Sequence, residues 1–261
     1  MILEVDVGNS NVKWRLRDDD KVLVAGSLEY AGVGNAKINY DDVFATAKIS
    51  PRYVNVVTVI RGERSRFSAW CGKRWGIEPS FAEVHVECAG VVNGYHDISQ
   101  MGPDRWSAMV AAFNHAGHDC LVVDSGSACT VDLVLGSGLH LGGYIVPGVE
   151  LMRDALFRDT DRVKLPSINY DDPPCLGQNT LQAVSSGLQV MLMALVVVSL
   201  DELLAAGAKK PVVVMAGGGS SGVADLFNKY LSDRNRSSDV GEVLLRPDLV
   251  FEGLSFICHE C

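Results

Sequence analysis

Two short runs in which apolar and polar residues alternate open the chain, one on each side of a turn. Residues 2–7 read I-L-E-V-D-V, residues 12–16 read V-K-W-R-L, and Gly8-Asn9-Ser10-Asn11 separates them. A period of two around a tight Gly/Asn turn predicts a β-hairpin. Asp6 precedes this turn and Lys13 follows it. A carboxylate for a metal ion, backbone N–H groups and a lysine together suit the phosphates of a nucleotide.

The same pattern recurs in the second half of the chain. Residues 120–135 read C-L-V-V-D-S-G-S-A-C-T-V-D-L-V-L, and aligning Asp124 with Asp6 places Gly126 on Gly8. A repeat this long in a chain of 261 residues indicates two copies of one domain. The two turns are then expected to face each other across a cleft. The alternative is a pair of ordinary hairpins made of buried strands.

Between and after the hairpins, strand and helix patterns alternate. The predicted strands are 54–60, 84–92, 138–141, 212–216 and 244–249. The predicted helices are 41–49, 65–75, one that begins at 104, 150–156, 181–206, 223–231 and 251–258. Gly-rich segments 142–148 and 217–221 and the polar segment 159–174 are predicted loops. The order β-β-β-α-β-α-β in the first half is typical of an α/β fold.

The predicted helix 181–206 is almost continuously apolar in its middle. A helix that is apolar on every side has to be buried on every side, inside a domain or at a subunit contact. We expect partial burial in a homodimer. The longest apolar run, 190–200, is shorter than the roughly 18 residues that a membrane span needs, so no membrane partner is expected.

Composition narrows the class of protein. Apolar residues make up 48% of the chain and charged residues 21%, as in ordinary globular proteins. The net charge of −9 argues against a nucleic-acid-binding surface. Seven scattered cysteines and an N-terminus without a signal peptide favour a reduced, cytoplasmic protein. Cys258-His259-Glu260-Cys261 has the spacing of metal ligands, but it has no second pair, so a frayed tail is the favoured interpretation.

Asp104 lies at the predicted start of a helix, directly after Pro103. The positive end of the helix dipole favours the charged carboxylate, which can then accept a hydrogen bond from a hydroxyl group. An ordinary helix N-cap explains the same position equally well.

Four motifs, in this order, resemble those of the type III pantothenate kinases. They are Asp6-x-Gly8-Asn9-Ser10-x-x-Lys13, Gly102-x-Asp104-Arg105, Asp124-x-Gly126-Ser127-Ala128-x-Thr130-x-Asp132 and Gly142-Gly143-x-Ile145-x-Pro147-Gly148. Asn93-Gly94-Tyr95 and Asn179-Thr180 fall where that family contacts its substrate. The chain departs from the family at Ser127, where threonine is usual, but the hydroxyl group is retained.

The resemblance implies an α/β fold of the duplicated actin-like, sugar-kinase and Hsp70 type, which is ribonuclease H-like. Two similar ATPase-like domains, 1–116 and 117–261, would flank a cleft. The first would carry the ATP-phosphate hairpin and the pantothenate site, and the second the cation site and a dimer helix. The implied reaction is ATP-dependent phosphorylation of pantothenate to 4′-phosphopantothenate, the first step of coenzyme A synthesis. The resemblance further implies a cytoplasmic homodimer that uses Mg²⁺ and a monovalent cation, K⁺ or NH₄⁺.

The same resemblance implies roles for individual residues. Asp104 would be the catalytic base, Asp124 would bind the monovalent cation, and Asp6 would lie near Mg²⁺. The residues implied in pantothenate binding are Tyr95, Gly102, Pro103, Asp104, Arg105 and Thr180. The residues implied in binding the ATP phosphates are Asp6, Val7, Gly8, Asn9, Ser10, Asn11, Val12, Lys13 and Ser127.

Three other functions remain open from the residues alone. The hairpins would equally suit another small-molecule kinase of this fold, acting on a sugar or an acetate-like acid. A catalytically silent regulator could keep the fold, although Asp6, Asp104 and Asp124 are all present. A phosphohydrolase acting on the nucleotide itself would not need a polar pocket for an alcohol.

Overall fold

The computed structural model describes residues 1–30, 38–45, 49–157 and 174–258. Most of the predicted loop 159–174 and the last three residues of the Cys258–Cys261 motif lie outside the described residues. The backbone divides into two compact units. The N-terminal unit comprises Met1–Ala89, Tyr95–Ala111 and Val250–Cys261, and the C-terminal unit comprises Gly90–Gly94 and Ala112–Leu249.

The described residues form strands and helices mostly in the predicted order, with the short strand β5 in addition. The strands are β1 (Ile2–Val7), β2 (Asn11–Asp18), β3 (Lys21–Glu29), β4 (Tyr53–Thr58), β5 (Ser80–Phe81), β6 (Glu87–Cys88), β7 (Val91–Val92), β8 (Cys120–Ser125), β9 (Ala128–Val134), β10 (His140–Pro147), β11 (Val212–Ala216) and β12 (Glu242–Leu245). The α-helices are α1 (Tyr40–Val43), α2 (Glu63–Trp75), α3 (Pro103–Ala116), α4 (Val149–Phe157), α5 (Thr180–Ala205), α6 (Ser220–Asp233) and α7 (Leu249–Ile257).

A five-stranded sheet in the order β3-β2-β1-β4-β5 forms the centre of the N-terminal unit. β1 runs antiparallel to β2 and parallel to β4. Leu3, Val5 and Val7 point to one face, where they join a core that includes the aromatic side chains of α1 and α2. The pleat therefore sends Glu4 and Asp6 to the opposite face.

That opposite face contains a buried cluster of charges. The Glu4 side chain is fully buried, and its two carboxylate oxygens accept hydrogen bonds from Arg15 Nε at 2.6 Å and Arg17 Nε at 2.8 Å. The Arg15 guanidinium also lies 5.0 Å from the centre of the Phe251 ring. Since Phe251 belongs to α7, this helix packs on part of the first sheet.

The second sheet repeats the topology of the first. Its order is β10-β9-β8-β11-β12, with β8 antiparallel to β9 and parallel to β11. A hairpin followed by a parallel strand thus occurs once in each unit. The duplicated α/β architecture expected from the repeat is confirmed.

Four predicted elements differ from the structure. The predicted helix 41–49 is observed only as the short α1, which ends at Val43, and residues 46–48 lie outside the described residues. Residues 142–147, predicted as a loop, extend strand β10, which has an irregular register between His140 and Gly142. Glycine occurs there because a Cβ on Gly143 would lie 2.1 Å from the carbonyl oxygen of Val131. The predicted strand 84–92 is broken into β6 and β7 by Ala89 and Gly90, both at positive φ. The last predicted strand ends at Leu245 rather than at residue 249.

α5 has both a buried and an exposed apolar surface. Leu188, Leu192 and Val196 pack into the core of the C-terminal unit, whereas Val190 and Met191 are exposed. Its length and apolar composition would allow it to cross a membrane, and 39% of its most apolar 18-residue window is buried. That is weak evidence for a membrane span, because core helices of soluble proteins have the same composition.

Five of the described cysteines have free thiols. Burial raises the pKa of Cys120 and Cys129 to about 12, so both thiols remain protonated near neutral pH. Cys88 is disulfide-bonded, so the expectation of fully reduced cysteines does not hold at this position.

Close packing between α3 and α7 can be tested with two glycine substitutions in helices of the same unit. A Cβ on Gly253 would lie 2.1 Å from the carbonyl oxygen of Ser107, whereas a Cβ on Gly72 of α2 would meet nothing within 4 Å. We expect Gly253→Ala to destabilise the protein by about 1–3 kcal/mol through overpacking. Gly72→Ala should stabilise it by about 0.5–1 kcal/mol. Urea unfolding measures both, and a Gly253→Ala variant as stable as the wild type would contradict this packing.

Candidate active site

The turn between β1 and β2 is a short loop with charged residues on either side. The N–H of Gly8 donates to the carbonyl of Asn11 at 3.0 Å, and Asn9 and Ser10 are exposed at the tip. Asp6 and Lys13 are direct register partners across the hairpin, and both are partly exposed. A carboxylate and an ammonium group are thereby held beside an accessible turn.

Val7 and Val12 flank this turn, but their side chains are not accessible to a ligand. Both side chains are completely buried in the core of the N-terminal unit. Any contact that these two residues make with a phosphate therefore has to come from the main chain.

Asp104 is placed by the start of α3. The helix begins at Pro103, and the carbonyl of Gly102 accepts the N–H of Trp106 at 2.9 Å. Gly102 therefore occupies the N-cap position, and Asp104 lies within the first turn. Asp104 Oδ1 accepts the N–H of Arg105 at 2.8 Å. A Cβ on Gly102 would lie 2.4 Å from the same oxygen, so this carboxylate conformation requires glycine at position 102.

Arg105 and Tyr95 form a pair beside Asp104. Arg105 Nη1 donates to the Tyr95 hydroxyl oxygen at 2.7 Å, and the guanidinium lies 5.6 Å from the centre of the Tyr95 ring. Arg105 is only 7% exposed. A buried guanidinium held in one orientation can form directed hydrogen bonds to a carboxylate. The N-terminal unit therefore contains the hairpin turn, Asp104 and this pair.

The C-terminal unit has its own turn, between β8 and β9. The N–H of Gly126 donates to the carbonyl of Ala128 at 3.0 Å, and the Ser127 side chain is exposed. The carbonyl of Ser127 accepts the N–H of Gly148 at 2.9 Å. Ser127 is thus fixed by its backbone, while its hydroxyl group remains accessible.

The glycine loop after β11 packs against this second turn. The N–H of Gly219 donates to the carbonyl of Ser125 at 3.0 Å. Gly217 has a φ of +84°, and a Cβ there would lie 2.4 Å from Asp124 Oδ1 and 2.5 Å from the carbonyl oxygen of Ser125. Both oxygen atoms therefore approach the main chain of Gly217 so closely that only glycine fits at this position.

Thr180 belongs to a different unit from the other residues predicted to bind pantothenate. It is the exposed first residue of α5, directly after the N-cap Asn179, and it belongs to the C-terminal unit. Tyr95, Gly102 and Arg105 belong to the N-terminal unit.

Sequence reasoning missed a buried polar pair in the C-terminal unit. His140 Nε2 and Asp132 Oδ1 are 3.0 Å apart, and both side chains are buried. The carbonyl of His140 would lie 1.9 Å from a Cβ on Gly94, so the 93–94 turn packs tightly against this strand. Asp132 is the last position of one family motif, but nothing in that motif indicates a contact with His140. The residues around His140 form no pattern that would predict its partner.

Comparison with solved structures supports the fold. A Campylobacter jejuni protein described as a conserved putative Baf family transcriptional activator superposes with a TM-score of 0.56 at 21% identity, covering 97% of this chain and 95% of that one. A putative 2-dehydro-3-deoxygalactonokinase from Sinorhizobium meliloti gives 0.55 at 14% identity, with 98% and 95% coverage. With its two sheets of one topology, the chain has the actin-like, sugar-kinase type of ATPase fold.

Comparison of sequences shows the family. A model of the family described as type III pantothenate kinase matches residues 2–201. The type III pantothenate kinases of Pseudomonas aeruginosa (strain LESB58) and Ectopseudomonas mendocina (strain ymp) are 34% and 33% identical to this chain. Both alignments cover 99% of each sequence. With the turn, the Gly102–Arg105 motif and the second turn all in place, this chain belongs to the type III pantothenate kinase family.

Proposed function

We propose that this protein transfers the γ-phosphoryl group of ATP to the hydroxyl group of pantothenate, giving 4′-phosphopantothenate for coenzyme A synthesis. Family membership over nearly the whole chain supports this reaction. The observation that carries it is the placement of Asp104, a partly exposed carboxylate in the first turn of a helix, next to the buried Arg105.

Asp104 acts as the general base in this proposal. Its carboxylate accepts the proton of the pantothenate hydroxyl as the hydroxyl oxygen bonds to the γ-phosphorus and ADP leaves. Arg105 pairs with the carboxylate of pantothenate, oriented by its hydrogen bond to Tyr95. Gly102 and Pro103 line the same site, and Thr180 is also assigned to pantothenate binding.

The β1–β2 turn holds the phosphates of ATP. Exposed backbone at Asn9 and Ser10 supplies N–H groups, and Lys13 supplies a positive charge. Among the described residues there is no group of three or more acidic, His or Cys side chains that could hold a metal ion. One carboxylate, Asp6, together with ATP phosphates fits Mg²⁺, which is usually bound in this way. Mg²⁺ would neutralise charge on the phosphates.

Two residues of the β8–β9 turn have further roles in this proposal. The Ser127 hydroxyl contacts a phosphate, and Asp124 holds a monovalent cation, K⁺ or NH₄⁺. Asp124, partly exposed at the end of β8, supplies the kind of oxygen ligand that such a cation prefers. The cytoplasm is the proposed compartment.

The reaction is tested by measuring ADP release with pantothenate in K⁺, NH₄⁺ and Na⁺ buffers, for the wild type and Asp104→Asn. We expect turnover that depends on pantothenate and on K⁺ or NH₄⁺. Loss of the base should lower kcat by about 10²–10⁴-fold. Asp225→Asn, at an exposed aspartate on α6, is the matched control and should keep full activity.

Other outcomes of this experiment have clear meanings. Folded wild-type protein that does not turn over with pantothenate in any buffer would contradict the assignment and favour a regulator or another alcohol substrate. Equal turnover in Na⁺ and K⁺ would contradict only the cation site.

We also propose that the protein is a homodimer formed through α4 and α5. An open apolar groove of about 350 Å³ lies between these helices in the C-terminal unit, lined by Pro147, Leu151, Met152, Ala155, Leu156, Leu188 and Met191. Met191 is 58% exposed in a single chain, and burying such side chains stabilises an association.

Light scattering should give twice the mass of one chain, and Met191→Glu should shift the protein towards the monomer because it places a charge in an apolar interface. Val86→Glu, at a side chain that is 63% exposed in the N-terminal unit, is the control and should leave the mass unchanged. A wild-type monomer at all concentrations would rule out this dimer.

A further inference from the structure

Tyr30 lies beside the β1–β2 turn although it is far from it in sequence. It directly follows β3, and its side chain is partly buried. Its backbone N–H donates to the carbonyl of Ser10 at 3.0 Å. Its hydroxyl group donates to the carbonyl of Gly8. One residue therefore binds two of the carbonyl groups of the turn, once through its main chain and once through its side chain.

The backbone N–H groups at the tip of the turn, unlike the two carbonyl groups bound by Tyr30, have no hydrogen-bond partner in the described protein. Within the part of the chain that the structure describes, the N–H groups of Asn9 and Ser10 donate to no protein acceptor. Both residues are exposed. A carbonyl oxygen repels a phosphate, whereas an N–H attracts it, so the direction of these peptide groups decides whether the turn can bind an anion. Tyr30 holds the carbonyls of Gly8 and Ser10 on its own side of the turn.

We propose that Tyr30 is a positioning residue for ATP, which fixes the peptide groups of the Gly8–Asn11 turn so that its free N–H groups face the phosphates. This inference rests on the proposed assignment of the turn to ATP. It adds a residue that lies outside all four family motifs and that makes its contribution through the turn rather than by touching the reacting atoms.

The surroundings of Tyr30 keep its hydroxyl group protonated. Burial raises the pKa of Tyr30, and the negative charges of Glu63 and Asp6 raise it further. Glu63 is itself fixed, since its buried carboxylate accepts hydrogen bonds from Tyr40 and, at 2.7 Å, from Arg66 Nη1. The Tyr30 hydroxyl therefore remains a hydrogen-bond donor throughout the neutral range.

Tyr30→Phe tests the inference, because it removes only the hydroxyl group and keeps the ring. Loss of one hydrogen bond should raise the KM for ATP about three- to tenfold. The KM for pantothenate should stay within twofold of the wild type. Tyr53→Phe is the matched control, since Tyr53 lies in β4 of the same unit, is 61% exposed and has no hydroxyl partner among the described residues. It should change neither constant.

The pattern of constants separates positioning from a general loss of structure. A partly unfolded variant would have a lower kcat at unchanged KM values, because fewer molecules would be active. If the wild type is active and Tyr30→Phe matches Tyr53→Phe in the KM for ATP, the inference about Tyr30 is overturned while the proposed function stands. A parallel rise in the KM for pantothenate would overturn it as well.

Amide hydrogen exchange gives a second readout that does not need enzyme activity. In the free protein, Tyr30→Phe should accelerate exchange in a peptide that covers residues 8–12 and leave β8 and β9 unchanged, relative to Tyr53→Phe. Unchanged exchange in the 8–12 peptide would overturn the inference. Absence of pantothenate turnover in the wild type would contradict the proposed function alone, because the exchange experiment still tests Tyr30.

Discussion

The buried carboxylate of Glu4 constrains how the whole N-terminal unit is built. Moving such a group out of water costs several kcal/mol unless its partners are close and well oriented. Arg15 and Arg17 meet this requirement at 2.6 and 2.8 Å. The same strand geometry brings Asp6 to the face that Glu4 occupies. On this face of β1 the Glu4 carboxylate is thus buried and paired with arginines, whereas Asp6 remains partly exposed.

Close approach of main-chain atoms shapes both candidate sites. The carboxylate of Asp104 folds back over Gly102, and the oxygens of Asp124 and Ser125 converge on Gly217. In both places a Cβ would occupy space within 2.5 Å of an oxygen atom. Glycine at positions 102 and 217 therefore leaves room for the carboxylates of Asp104 and Asp124 in the conformations observed.

Local patterns were sufficient to predict most of the fold. Both hairpins, β11 and α5 follow from periodicity and turn residues, because these signals lie within a few positions of one another. The strand over 142–147 was missed since glycines usually indicate a loop, and here they serve close packing against β9.

The candidate site was predictable only where its residues lie in motifs. Asp6, Asp104 and Asp124 stand out by their position beside glycine turns or at a helix start. Tyr30 and His140 do not, because each depends on a contact with a distant part of the chain. These contacts are visible only in the three-dimensional structure, because no pattern in the sequence predicts them.

The position of α7 affects how the chain is made. In the N-terminal unit Phe251 contacts Arg15 on the face that carries Glu4 and Gly253 packs against α3, yet both residues leave the ribosome long after the first sheet. The C-terminal unit, residues 90–94 and 112–249, is synthesised before them. The first sheet is therefore synthesised well before the helix that packs on it. A face that contains a carboxylate and two guanidinium groups can stay hydrated during that wait, whereas an apolar face would expose the nascent chain to aggregation.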